Sequence, residues 1–254
     1  EKLAGTVDQG REYEQIMCAF YALKLIANDE VEDFEMTTNQ QGFGTFDDIV
    51  LKVTFKDKKE RTFLFQLKHK EAAKRLRKVD LRKGKHDFDV GKYCTSINEN
   101  IETSEDIICV LYTNCPLDLK NSTEIETNIN IERCPSVEFE DLLSNKELQK
   151  VQSVFRVTQN SEDKNCKFYL FSEQGNLTQT QLYVEKMLKY LLRYNIYDSF
   201  THFISQWWSK NFVLSKDDVI AKLIELALSP HTKTLTSNKQ NDKTTPTLTT
   251  RGGG

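Results

Sequence analysis

The feature that most constrains the fold is an almost unbroken apolar run, DIICVLYT (106–113), with polar residues on both sides. A half-exposed strand alternates apolar and polar residues, whereas a run without polar breaks is typical of a strand buried on both faces. The run therefore predicts a central strand that other elements cover on both sides. A chain of 254 residues is long enough to build such a layered core.

The hydrophobic pattern before this strand predicts a regular order of elements. Apolar residues spaced three and four apart predict helices, and alternation with a period of two predicts strands. A polar, turn-like stretch at 57–60 makes the second and third strands a β-hairpin. In chain order, the predicted elements are a helix over 10–30, strands over 31–36, 48–55 and 62–68, a helix over 88–100 and the strand over 106–113.

The second half of the chain gives weaker signals. Residues 114–165 look polar and irregular, and beyond Pro230 the chain has almost no apolar residues. The latter composition predicts a disordered tail over 232–254. Between these stretches, the predicted elements are a strand over 167–171 and helices over 179–194, 197–212 and 216–228.

Composition narrows the classes of protein. The formal net charge is −3, so the chain as a whole does not indicate nucleic-acid binding. The six cysteines form no CxxC pair and lie at no metal-finger spacing to a histidine, which predicts reduced thiols in the cytoplasm or nucleus. The longest apolar run is well short of the roughly 20 residues of a membrane span, so no membrane partner is expected. Because the sequence opens on Glu1 without a signal-peptide pattern, we expect a piece of a longer protein.

Polar residues interrupt the end of the second hairpin strand, FLFQLKHK (63–70). Gln66 and Lys68 share one face of this strand because side chains alternate with a period of two. In a hairpin, the start of one strand lies beside the end of the next, which brings Asp48 to the same place. The neighbouring Asp47 is a rival, but alternation sets Asp48 opposite the apolar face of its strand. Carboxylate and amide oxygens are ligands that Mg²⁺ and Mn²⁺ prefer, so the group suits metal-assisted phosphodiester hydrolysis.

The arrangement resembles the PD-(D/E)XK, or restriction-endonuclease-like, nuclease superfamily. Within it, the chain is most similar to variants with Gln in place of the second acid, such as Mrr-type restriction endonucleases and nuclease domains of antiphage effectors. These variants combine a helix that opens with G-x-x-[YF]-[EQ], a D-[DI]-[IV] strand and a Q-[VLC]-K-H strand. The matching segments here are GREYE (10–14), FDDI (46–49) and FQLKH (65–69), and the resemblance covers residues 10–113.

The resemblance implies an αβββαβ core, with a central mixed sheet flanked by helices, and a role for each matching residue. Asp48 would be the principal ligand of Mg²⁺ or Mn²⁺, and Gln66 would coordinate through its amide oxygen. Lys68 would stabilise the charge that develops in the transition state. Glu14 would be an auxiliary carboxylate ligand, which matters more because Gln66 removes a negative charge. A structural interpretation stays open, in which Asp48 caps a turn, Gln66 bonds to backbone and Lys68 extends toward solvent.

The segment that follows the hairpin, residues 68–92, carries ten Lys and Arg against four acids. Because it begins at Lys68, it would emerge beside the proposed site and hold the phosphates of a nucleic acid. The alternative is a solvated loop. Without a base-reading motif, we expect little sequence specificity. The expected contacts are Lys70, Lys74, Arg75, Arg77, Lys78, Arg82, Lys83 and Lys85.

The remaining conspicuous side chains are interpreted as structural. His69 faces away from Lys68 along the strand, so we expect a supporting role for it and not metal coordination. Trp207 and Trp208 are expected in the core of the C-terminal helices, with a stacking surface for bases as the minor alternative.

These observations predict three regions: a restriction-endonuclease-like domain over 1–172, a helical extension packed on it over 173–231, and the tail. The predicted function is a divalent-metal-dependent nuclease, acting on DNA in preference to RNA. Two alternatives stay open. One is a catalytically weak or inactive module that binds nucleic acid or a protein partner. The other is a toxin-like or host-defence domain controlled by flanking domains; homodimer formation is also open.

Overall fold

A computed structural model describes residues 4–82, 84, 87–102, 104–119, 122–126, 128–135, 137–144, 153–160, 165–192 and 195–240. These residues form an α/β structure in which helices cover both faces of one mixed sheet. The strands are β1 (Val31–Thr37), β2 (Ile49–Phe55), β3 (Glu60–Lys68), β4 (Ile107–Thr113), β5 (Ser122–Glu126), β6 (Ile129–Arg133), β7 (Val154–Asn160), β8 (Asn165–Phe171) and β9 (Leu214–Ser215). The helices are α1 (Ala4–Ile26), α2 (Val90–Asn100), α3 (Glu140–Leu143), α4 (Leu177–Leu192), α5 (Tyr197–Lys210) and α6 (Lys216–Gln240), with a 3₁₀ turn at Lys78–Leu81.

The sheet confirms the predicted α/β class and the central position of the apolar run. Its strand order is β5-β6-β7-β8-β4-β3-β2-β1-β9. β3, β4 and β8 are parallel, and the other neighbours are antiparallel. β4 is the fifth strand, and Val110 and Leu111 at its centre are fully buried on opposite faces. An unbroken apolar strand is what this position requires.

The first face of the sheet is covered by α1 and the C-terminal helices. Eight consecutive residues of α1, from Ile16 to Leu23, are at most 5% exposed. A helix that is buried on every side must be surrounded, and α4, α5 and α6 pack on α1 opposite the sheet. The C-terminal helices therefore share one core with the sheet, to which Phe200 and Ile204 contribute.

The second face is covered by α2 and by the chain that leads into it. Leu64 of β3 belongs to this core, together with Leu81, Phe88 and Tyr93. Phe65, the next residue of β3, belongs to the first core. Successive side chains of β3 therefore alternate between the two faces of the sheet, as predicted, and contribute to both hydrophobic cores.

Two predictions about the second half of the chain are corrected. The segment 114–165 is not irregular, since it contains β5, β6, α3 and β7. The three strands lie toward one edge of the sheet, and in β6 only alternate residues, Ile129 and Ile131, are buried. The tail predicted to be disordered from 232 overlaps α6, whose backbone is helical to Gln240. Extending an established helix costs far less than starting one, so an anchored helix can run into a polar sequence. Residues 241–254 lie outside the described part.

Two further findings concern the whole described chain. All six cysteines are buried and unpaired, as expected for structural thiols. Among the described helices, none is both long and apolar enough to cross a membrane.

Candidate metal centre

The hairpin brings Asp48 and Gln66 together as its geometry predicts. Ile49 pairs with Phe65 in the ladder between β2 and β3, so Asp48 and Gln66 are the next positions. The Asp48 carboxylate accepts a hydrogen bond from the backbone N–H of Leu67, with Oδ2 2.7 Å from the nitrogen. The same oxygen accepts a second bond from the side-chain amide of Gln66. Asp48 is thus held at a fixed place at the end of two strands.

The loop before Asp48 is pressed against α2. The backbone N–H of Thr45 donates to Ser96 Oγ at 2.8 Å. Gly44 has a φ of +60°, and a Cβ there would overlap the Ser96 hydroxyl. The loop therefore requires a residue without a side chain, in a conformation that glycine adopts readily. The contact with α2 fixes where Asp47 and Asp48 enter β2.

Glu14 of α1 interacts electrostatically with Asp48 and Lys68. Burial is the main reason that its pKa rises to about 7, and the negative charge of Asp48 raises it further. Lys68 acts in the opposite sense and lowers the pKa of Glu14. The pKa of Asp48 is also raised by burial, although its bond from Leu67 and the charge of Lys68 oppose the change. Asp47, less buried, shows a raised pKa for the same first cause.

Lys68 lies half-buried at the end of β3. Within the described chain its ammonium group makes no direct hydrogen bond or ion pair, although its charge is felt by Glu14 and Asp48. Its backbone is fixed, because the Lys68 carbonyl accepts a bond from the Thr113 hydroxyl at 2.7 Å. The ammonium group is therefore positioned near the carboxylates and is available to an added ligand.

The donor set suits a hard divalent cation. It comprises the two half-buried carboxylates of Glu14 and Asp48 and the buried amide of Gln66, whose oxygen and nitrogen exchange places on rotation. Both carboxylates have raised pKa values, so their negative charge is poorly solvated, a condition that a cation relieves. No group of three or more His, Cys, Asp or Glu side chains in the described chain has the geometry of a metal site. A site here would depend on Gln66 or on water for its remaining ligands.

His69 supports the structure, as predicted. Its ring stacks on Tyr13 of α1, with centroids 4.4 Å apart, and its Nε2 accepts a bond from the backbone N–H of Leu177 at 3.2 Å. Burial lowers the pKa of His69, which favours the neutral form that can accept this bond. The Tyr13 hydroxyl donates to the Gly175 carbonyl at 3.0 Å. No sequence pattern predicted that Tyr13 and His69 together hold the start of α4.

The eight predicted phosphate contacts fall into four sets. Lys70, Arg75 and Arg77 are paired with Asp87, Asp118 and Asp80, respectively. Arg82 donates to the Ile125 carbonyl at 3.3 Å, on the edge strand β5. Within the described chain, Lys74 and Lys78 have no side-chain bond or ion pair. Lys83 and Lys85 lie outside the described residues.

Most of these pairs are exposed, and such pairs contribute little to stability. Asp118 was not anticipated because it lies 43 positions beyond Arg75, and only the fold brings the two together.

The two tryptophans belong to the helical core, as predicted. Trp207 is 7% exposed and lies in the first core. Trp208 packs against that core, and the Arg11 guanidinium lies 4.8 Å from its ring centroid.

Comparison with known proteins does not assign the chain to a family. No protein-family model matches the chain, and no curated protein matches it significantly.

Proposed function

We propose that the protein is a divalent-metal-dependent nuclease with a restriction-endonuclease-like core. The observation that carries the proposal is the placement of Asp48 beside Gln66, with the charges of Glu14 and Lys68 acting on the same spot. This group lies at the ends of β2 and β3, where the chain is held by backbone and side-chain bonds. A rigid set of acid, amide and ammonium groups suits phosphodiester hydrolysis.

The proposal divides the residues between holding the metal and stabilising charge. Asp48, Gln66 and Glu14 would hold Mg²⁺ or Mn²⁺, which when bound polarises a phosphate and acidifies a water molecule. Lys68 places a positive charge where negative charge builds up on the phosphate oxygens. The Leu67 N–H keeps Asp48 oriented throughout.

The proposed substrate is DNA, bound with little sequence specificity. The basic segment begins at Lys68 and contributes to the second core through Leu76, Leu81 and Phe88. Its cations therefore lie on the face of the sheet that carries α2. Contacts of this type bind phosphates and do not read bases.

The test is degradation of plasmid DNA in Mg²⁺ or Mn²⁺ by the wild type and by three variants. We expect Asp48→Asn and Lys68→Ala each to lower the rate by about 10²- to 10³-fold. Asp47→Asn is the matched control, because it removes a neighbouring carboxylate that lacks the bond from Leu67. If Asp48→Asn and Lys68→Ala cut as fast as the wild type, the proposed site is wrong.

One observation favours a second candidate, a module that binds nucleic acid or a protein without cutting. The Gln66 amide N–H already satisfies Asp48, so the acid has a partner without a cation. Calorimetric titration with Mg²⁺ or Mn²⁺ separates the two candidates. The module predicts no heat of binding and no cleavage, while nucleic-acid binding is retained. Gln66→Glu restores a carboxylate and should raise the affinity for the cation if the centre is real.

A further inference from the structure

A cavity of about 450 Å³, whose lining begins at Lys70, two residues beyond Lys68, is not explained by the proposed metal centre. Its lining includes the basic side chains of Lys70, Lys74, Arg75 and Arg77, the acids Asp80 and Asp87, and the buried Phe88. The volume is within the range of about 300–1,000 Å³ that is usual for small-ligand pockets. A pocket with this lining can hold an anionic group together with an apolar body.

The pocket is fixed relative to the hairpin. The Asn114 side chain bonds to both backbone groups of Lys70, with its Oδ1 2.9 Å from the nitrogen and its Nδ2 2.7 Å from the carbonyl oxygen. Asn114 is only 8% exposed, so this clamp is protected from water. Lys70 is two residues beyond Lys68, roughly 7 Å along an extended chain. One strand of nucleic acid can therefore meet both positions.

Three of the four cations are held by aspartates. Asp87 pairs with Lys70, Arg77 Nε is 3.7 Å from Asp80 Oδ2, and Arg75 Nη1 is 3.9 Å from Asp118 Oδ1. The two arginine pairs are long, and both arginine side chains are more than 60% exposed. Such pairs are weak, so a ligand with more charge and better geometry can replace the carboxylates.

We propose that this pocket binds a phosphate group of a nucleic-acid strand, and that Asp80, Asp87 and Asp118 occupy its cations until the phosphate displaces them. The nature of the ligand rests on the proposed function, but binding does not require cleavage. Arginine forks suit phosphate because they offer two parallel N–H donors. The phosphate can be an internal phosphodiester or a terminal 5′-phosphate, which share this chemistry.

The experiment measures binding of a fluorescent single-stranded oligonucleotide, with and without a 5′-phosphate, by anisotropy in EDTA. The pocket variant is Arg75→Gln with Arg77→Gln, and its charge-matched control is Lys189→Gln with Lys210→Gln on α4 and α5. The gain-of-binding variant is Asp80→Asn with Asp118→Asn. Its control removes two exposed acids elsewhere, Asp29→Asn with Asp217→Asn. Circular dichroism confirms that each variant is folded.

We expect the pocket variant to bind about tenfold more weakly than its control. The slope of log affinity against log salt should fall by about 0.7 for each lost phosphate contact. The variant lacking Asp80 and Asp118 should bind more tightly than its own control. A loss for both oligonucleotides assigns the pocket to an internal phosphate, and a loss only for the phosphorylated one assigns it to the 5′-end.

Binding equal to the controls would overturn the proposal. So would equally effective competition by a polyglutamate peptide at the same charge concentration, which would indicate an acidic protein partner. If no DNA is cut by any form but the pocket variant still loses binding, the nuclease proposal fails and this inference stands.

Discussion

Replacing Glu14 with glutamine should change how the stability of the protein depends on pH. Burial and the charge of Asp48 raise the pKa of Glu14 from 4.5 to about 7. Between these values the folded state binds more protons than the unfolded state, so folding becomes less favourable as the pH rises. Each pKa unit corresponds to about 1.4 kcal/mol. Because solvent screens the charge of a side chain that is not fully buried, we expect the free energy of unfolding to fall by about 2 kcal/mol as the pH rises through this range.

The assay is urea unfolding, followed by tryptophan fluorescence, at pH 5 and pH 8. Relative to the wild type, Glu14→Gln should gain about 2 kcal/mol in free energy of unfolding between the two pH values, because the amide has no charge to bury. Glu12→Gln removes an exposed carboxylate from the same helix and controls for the loss of charge. Mg²⁺ or Mn²⁺ should stabilise the wild type more than Glu14→Gln at pH 8, since a ligand that binds only the folded state stabilises it. An identical pH dependence in the wild type and Glu14→Gln would refute the electrostatic reasoning.

Two further predictions concern the surroundings of the site. Gly44→Ala should destabilise the protein by about 1–3 kcal/mol in the same unfolding assay. Gly42→Ala is the control, because Gly42 also has a positive φ but has open space around it. Equal losses of stability in the two variants would contradict the proposed contact with Ser96. Since burial lowers the pKa of His69, the stability that its neutral ring provides is complete above pH 6.5 and is lost as the pH falls through the lower folded value. His69→Gln should therefore lose less stability than the wild type between pH 6.5 and 5, and parallel curves would argue against this role.

The centre of the fold follows directly from sequence pattern. The apolar run at 106–113 became β4 because a strand between two parallel neighbours has no polar face. The hairpin register was predictable for a similar reason, since a slip of one residue would turn Phe65 away from the first core. Asp48 and Gln66 therefore meet where the sequence placed them.

The outer part of the sheet was missed because β6 and β7 each bury fewer than half of their residues. Ile129 and Ile131 in β6, and Phe155 and Val157 in β7, alternate with polar residues. That alternation was a usable signal in residues 114–165 that the overall polarity obscured. No sequence pattern predicts the aspartates that pair with the basic segment, because pairs such as Arg75 and Asp118 depend on tertiary structure.

The enclosed stretch of α1, residues 16–23, has a consequence for the order in which the protein can mature. Residues 16–23 are synthesised before the helices that begin at Leu177, which provide part of the surface that shields them. Until those helices are made, side chains such as Met17 and Phe20 lack part of their cover. Nascent chains halted before residue 177 should therefore bind chaperones and yield to protease within α1, and extension of the chain through α6 should end both. Glu14 lies on the same helix, so its place in the proposed metal centre would be secured only after the helices that begin at Leu177 have been made.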